Sequence, residues 1–92
     1  MTLNSLLIEC AKKGSLNEIK NLIGKGANDL DLALQMSAVH GHLDVMKFLV
    51  ANGANINICK DLSYEHKNIV EFLVAKGINA RIDYSVRWNS GL

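Results

Sequence analysis

Apolar side chains at Leu6, Leu7, Cys10 and Ala11 recur at spacings of one, three and four, which predicts one face of a helix that stops at Gly14. A second set, Leu16, Ile19, Leu22 and Ile23, predicts a second helix with Lys20, Asn21 and Lys25 turned outward. Gly24 and Gly26 supply the flexible or left-handed positions that end it. Ser15-Leu16-Asn17-Glu18 has the form of a capping box, in which the Ser15 hydroxyl takes the Glu18 amide and Glu18 reaches back. Asp31 is then placed to cap a helix holding Leu32, Leu34, Ala38 and Val39, which Gly41 ends. Leu43, Val45, Met46, Leu49 and Val50 form the next stripe, with Asp44 at its positive end and Gly53 closing it.

The second helix pair repeats the first at a fixed offset. Gly14, Leu16, Ile19-Lys20, Leu22-Ile23 and Gly26-Ala27-Asn28 match Gly41, Leu43, Met46-Lys47, Leu49-Val50 and Gly53-Ala54-Asn55, each 27 residues later. A third copy ends in Ile69-Val70-Glu71-Phe72-Leu73-Val74-Ala75-Lys76-Gly77-Ile78-Asn79, offset by 24 residues. Its second helix is plain in the pattern. Its first is short, with Leu62 and Tyr64 as the apolar anchors between Asn57 and His66. Residues 83–90, from Asp83 to Ser90, read as a further helix capped by Asp83. Units of this length cannot bury their own apolar face and must stack to share a core. The expected organisation is one domain over residues 1–92, with repeats at about 5–30, 31–57 and 58–80 and a C-terminal capping segment at 81–92.

The totals narrow the function classes. A chain of 92 residues buries roughly 60–65% of its unfolded surface, which leaves little room for a large pocket. An apolar share of 49% is enough for a core and argues against disorder. Ten basic and nine acidic residues are interspersed, so no basic stripe points to nucleic acid. Cys10 and Cys59 read as buried thiols in a reducing compartment, and no pattern predicts secretion or a membrane span.

Residues Ala38-x-x-Gly41-His42-Leu43-Asp44-Val45-Met46-Lys47-Phe48-Leu49-Val50-x-x-Gly53-Ala54-Asn55-Ile56-Asn57 resemble the ankyrin-repeat family. They follow its Ala-x-x-Gly-His, its apolar second helix and its Gly-Ala-Asp/Asn ending. Ala11-x-x-Gly14 and Gly26-Ala27-Asn28 carry the resemblance into the first copy, and the whole covers about residues 5–79. Asp83-Tyr84-Ser85-Val86-Arg87-Trp88 is similar to a helix opening common in ankyrin arrays of large DNA viruses. The family repeat is about 33 residues. The residues missing here fall where the family places its β-hairpin finger, and the Thr-Pro-Leu-His opening is absent. The expected fold is therefore an all-α, ankyrin-like helical solenoid of about three helix-turn-helix repeats, with shortened loops and a C-terminal capping helix.

The resemblance also implies a groove lined by the residue pair before each turn. Those are Lys12 and Lys13, Val39 and His40, and Ser63 and Tyr64. Arg87 and Trp88 join them as residue types enriched at binding hot spots. The alternative for Trp88 is that it closes the open end of copy three. His40, His42 and His66 do not present the three or four convergent ligands of a metal site. His42 falls on the family's Gly-His position, which implies a loop-bracing hydrogen bond. No nucleophile–base signature appears, and Gly24-Lys25-Gly26 follows a helix, so its free groups are carbonyls and the wrong polarity for phosphate.

The sequence thus predicts a non-enzymatic protein–protein interaction module that binds a protein partner through the groove of its first helices. It predicts no cofactor, metal, nucleic acid or membrane. A monomer in the cytoplasm is expected, the host cytoplasm if the viral likeness is real, with a dimer through the C-terminal end as the alternative. The rival reading is a structural or truncated repeat remnant, or a self-associating unit, with no separate partner.

Overall fold

The computed structural model describes residues 2–60 and 62–82. Helix α1 spans Leu3–Lys13, α2 Leu16–Gly24, α3 Leu30–Val39, α4 Leu43–Ala51 and α5 Lys67–Ala75. A 3-10 turn, Ile56–Cys59, follows α4, and two short strands, β1 at Ser63–Tyr64 and β2 at Arg81–Ile82, flank α5. The helices start and stop where the apolar periodicity does. In α1 the buried face is Leu7, Cys10 and Ala11; in α2 it is Ile19 and Leu22; in α4 it is Val45, Met46 and Leu49; in α5 it is Ile69, Val70 and Leu73. Together with Ala33, Leu34 and Ala38 of α3 they make one continuous core. Each helix pair supplies one layer of it, as a stacked array requires.

Helices α1 and α2 form the first pair, α3 and α4 the second. Helix α3 packs on α1 and on the 3-10 turn, and α4 packs on α5. On the outer face Lys20 Nζ sits 5.6 Å from the centre of the Phe48 ring, a cation–π contact between the first pair and the second. Between Asn28 and Leu30 there is no hairpin, only a short loop, and Asn55 runs directly into the 3-10 turn. The shortened loops expected from the sequence are what the fold shows. The array is an all-α, ankyrin-like helical stack with one small addition: β1 and β2 pair in parallel, Ser63 with Arg81 and Tyr64 with Ile82.

Several local expectations are corrected. The third unit has no first helix. The 3-10 turn and β1 stand in its place, and Cys59, expected in a helical pattern, is the buried end of that turn. Ser15 occupies the N-cap of α2 but makes no side-chain cap bond. Glu18 instead accepts a hydrogen bond from the Cys10 thiol at 3.5 Å. Asp29, not Asp31, is the N-cap of α3, and Asp31 lies in its first turn. Leu32, one of the apolar residues of this helix, is 41% exposed. The predicted capping helix at residues 83–90 lies outside the described residues.

Leu49 is fully buried in the middle pair, with layers of core on both sides. Leu49→Ala should cost on the order of 2–5 kcal/mol, the range for a cavity left by a buried leucine. Thermal or denaturant unfolding of the variant checks this; an unchanged midpoint would mean that the layers are wrongly assigned.

Candidate functional site

Two kinds of bracket hold neighbouring units in register. At the start of α1, Asn4 Oδ1 accepts the backbone N–H groups of Asn28 and Asp29, at 2.9 and 3.0 Å, just ahead of α3. One unit on, Asp31 Oδ1 accepts the N–H of Asn55 at 2.7 Å, just ahead of the 3-10 turn. At the other end of the helices, His42 Nε2 donates to the Lys12 carbonyl at 2.9 Å. A carbonyl only accepts, so this bond requires the proton on Nε2. The His42 ring lies so close over Gly14 that a Cβ there would come within 2.5 Å of Nδ1. The His66 ring lies over Gly41 in the same way, where a Cβ would meet it at 2.8 Å. Both glycines have left-handed φ angles, +77° and +81°. Glycine is needed there twice over, for the turn and for the ring above it.

These brackets align three turns along one edge of the stack: Lys12–Gly14, His40–His42 and Tyr64–His66. The predicted groove residues gather there, though not all in the expected way. Lys12 and Lys13 are exposed, and Lys12 forms a surface ion pair with Glu9 at 3.7 Å. Val39, His40, Ser63 and Tyr64 are brought together, with Glu65, around an open depression of about 300 Å³. His40 Nδ1 donates to the Met36 carbonyl at 2.9 Å, which ties the ring back onto its own helix. Tyr64, expected to be exposed, is 3% accessible and forms the floor of the depression. The reason is the strand: pairing with Arg81–Ile82 turns Ser63 outward and Tyr64 into the core, as alternation along a strand demands. Arg87 and Trp88 lie outside the described residues.

Two features of this face escaped the sequence. Leu32 is exposed on the same side of α3 as Val39, with Met36 between them partly buried against the core. Glu65 holds the position occupied by Gly14 and Gly41 in the first two units. That break in the motif was the available signal. Elsewhere among the described residues, no group of three or more His, Cys, Asp or Glu is arranged to hold a metal. A second open depression runs along Gly14–Glu18 and carries no titratable group besides Glu18. The site therefore offers a mixed polar and apolar surface, and no assembled nucleophile and base.

The Tyr64 hydroxyl is buried and makes no hydrogen bond, although the Cys59 thiol lies beside it. A thiol is a weak donor and weak acceptor, and here it closes no bond of acceptable geometry. Burial pushes the phenol well above its ordinary value of 10.0, with Cys59 adding to the effect. Burial also raises Cys59 and Cys10 above their ordinary value of 9.0, and at Cys10 the Glu18 carboxylate contributes.

Residues 29–61 match the family model of the ankyrin repeat. The matched stretch is about a third of the chain and runs from the N-cap of α3 past the 3-10 turn. It contains the Asp31 bracket, the exposed Leu32 and Val39, and Gly41, and it supports an ankyrin-repeat relationship. No curated protein matches the chain.

Two outcomes follow from the buried phenol and thiols. All three groups ionise more easily in the unfolded chain, so the unfolded state loses protons first as pH rises. Stability should be intact below pH 9 and should fall progressively above it. Tyr64→Phe removes a buried hydroxyl that has no partner. It should leave stability at neutral pH unchanged or raise it by up to about 1–3 kcal/mol, and should flatten the alkaline decline. Urea unfolding from pH 7 to 10.5 checks both; marked destabilisation by Tyr64→Phe at pH 7 would show that the hydroxyl is bonded.

Proposed function

We propose that this chain is a non-enzymatic recognition module that binds a protein partner across the face formed by α1, α3 and β1. Ankyrin repeats are generally protein–protein interaction modules and typically not enzymes. The observation that carries the reading is the exposure of two large apolar side chains, Leu32 and Val39, on one side of α3. Two large apolar side chains exposed on the helix in the middle of a small stack fit a surface for another molecule. Core demands do not explain it, since Ala33, Leu34, Ser37 and Ala38 already fill the buried side of α3. The two buried and unpaired thiols fit the reducing interior of a cell, where the module would act.

Val39→Gln tests this without touching the core. Val39 is half exposed and sits in the last turn of α3, so the variant should melt within about 0.5 kcal/mol of the parent. Affinity capture from the native cell, read by mass spectrometry, should enrich one or a few proteins on the parent and lose them on Val39→Gln. Identical recovery on both, or no protein enriched on the parent, would favour a structural remnant.

A further inference from the structure

The charges on either side of the exposed Val39 are not symmetric. On the first-unit side of the turn edge stand Lys12 and Lys13. Lys12 is partly balanced by Glu9, while Lys13 forms no ion pair among the described residues. On the third-unit side stands Glu65, exposed and likewise without an ion pair among the described residues. Val39 and His40 lie between them, and the depression joins Val39 and His40 directly to Glu65. Glu9 lies one turn back along α1 in contact with Lys12, so among the described residues Lys13 carries the uncompensated positive charge of this end. Crossing the stack along the edge, the surface therefore reads basic, apolar, acidic.

We propose that this lane takes an extended peptide segment of a partner protein, with an acidic residue against Lys12 and Lys13, apolar residues on Val39, and a basic residue against Glu65. The proposal rests on the recognition reading above and adds the chemistry of the partner. Packed helices stand about 8–10 Å apart, so three adjacent units span roughly 16–20 Å. An extended chain rises about 3.3 Å per residue, and its alternate side chains share a face. An acid at i, apolar residues at i+2 and i+4, and a base at i+6 match that span. His40 suits a bound main chain. Its Nδ1 proton is spent on the Met36 carbonyl, so in the neutral ring Nε2 is left as an acceptor for a peptide N–H. Strand-like binding also fits the local backbone, because β1 at Ser63–Tyr64 is already extended.

The test uses four capped peptides and the full chain. They are Asp-Ser-Leu-Ser-Leu-Ser-Lys, the same frame with Asp at both ends, with Lys at both ends, and with Ser at both ends. Affinities are read from backbone amide shifts at Val39 and His40 during titration. The bipolar peptide should bind best, by about two- to fivefold for each matched charge over the serine peptide, the scale of an exposed charge contact. That margin should shrink in high salt. Glu65→Lys should reverse the order, so that the doubly acidic peptide becomes the tightest. Equal binding of all four peptides at Val39, or an order that Glu65→Lys leaves unchanged, would overturn the charge assignment while the recognition reading stands. If none shifts these amides, the inference falls, and the comparison of the parent with Val39→Gln judges the recognition reading on its own.

Discussion

Register between neighbouring units is the constraint on which this molecule depends. No helix pair here buries its own apolar face, so Leu7, Leu34, Leu49 and Leu73 leave water only if each layer meets the next in the right place. Apolar burial supplies most of the stability, but it is non-directional and would tolerate a slipped layer. Directional bonds supply what it lacks. Asn4 and Asp31 reach across to backbone amides at one end of the helices, and His42 and His66 sit over glycines at the other. A typical hydrogen bond adds only about 1 kcal/mol net, against about 2–5 for a buried leucine. The brackets therefore choose the arrangement that the core then stabilises.

The face proposed for recognition is a consequence of that alignment. With the starts and ends of α1 and α3 tied level, Lys12, His40 and Glu65 come out along a single edge. The third unit keeps its place with far less material. Its first helix is reduced to a 3-10 turn, and Tyr64 of β1 and Cys59 fill the space under α3. The cost is visible in the Tyr64 hydroxyl, buried with no partner. The shallow depression beside Glu65 lies at this reduced unit.

The repeat, the buried stripes of α2, α4 and α5, and the glycine turns were legible because helical periodicity and a fixed offset record them directly. The bracing role of His42 was readable through the family resemblance. What failed was everything that depends on a neighbour. Ser15 and Asp31 look like caps when read locally, but the Asp31 carboxylate is drawn to the Asn55 amide of the next unit. Tyr64 was taken for a surface residue because its strand partner, Arg81–Ile82, lies on the far side of α5 in sequence. The exposure of Leu32 was not readable because α3 is apolar on nearly every side, and periodicity then cannot say which residues face out. Glu65 was not legible as a site residue because it replaces the turn glycine that marks the other two units. The groove positions themselves came from resemblance, and the structure leaves Lys12, Lys13, Val39, His40 and Ser63 exposed on that face.

The bracket between Asp31 and Asn55 offers the most direct measurement. Asn55 is exposed and lies outside any helix or strand, so without a partner its amide would exchange at nearly the unfolded rate. Hydrogen exchange by NMR should show this amide protected well above that rate in the parent. In Asp31→Ala it should become fast, and protection of Cys59 and Tyr64 in the adjoining layer should fall with it. Fast exchange at Asn55 in the parent, or unaltered protection in Asp31→Ala, would contradict the claim that side-chain brackets set the register of the stack.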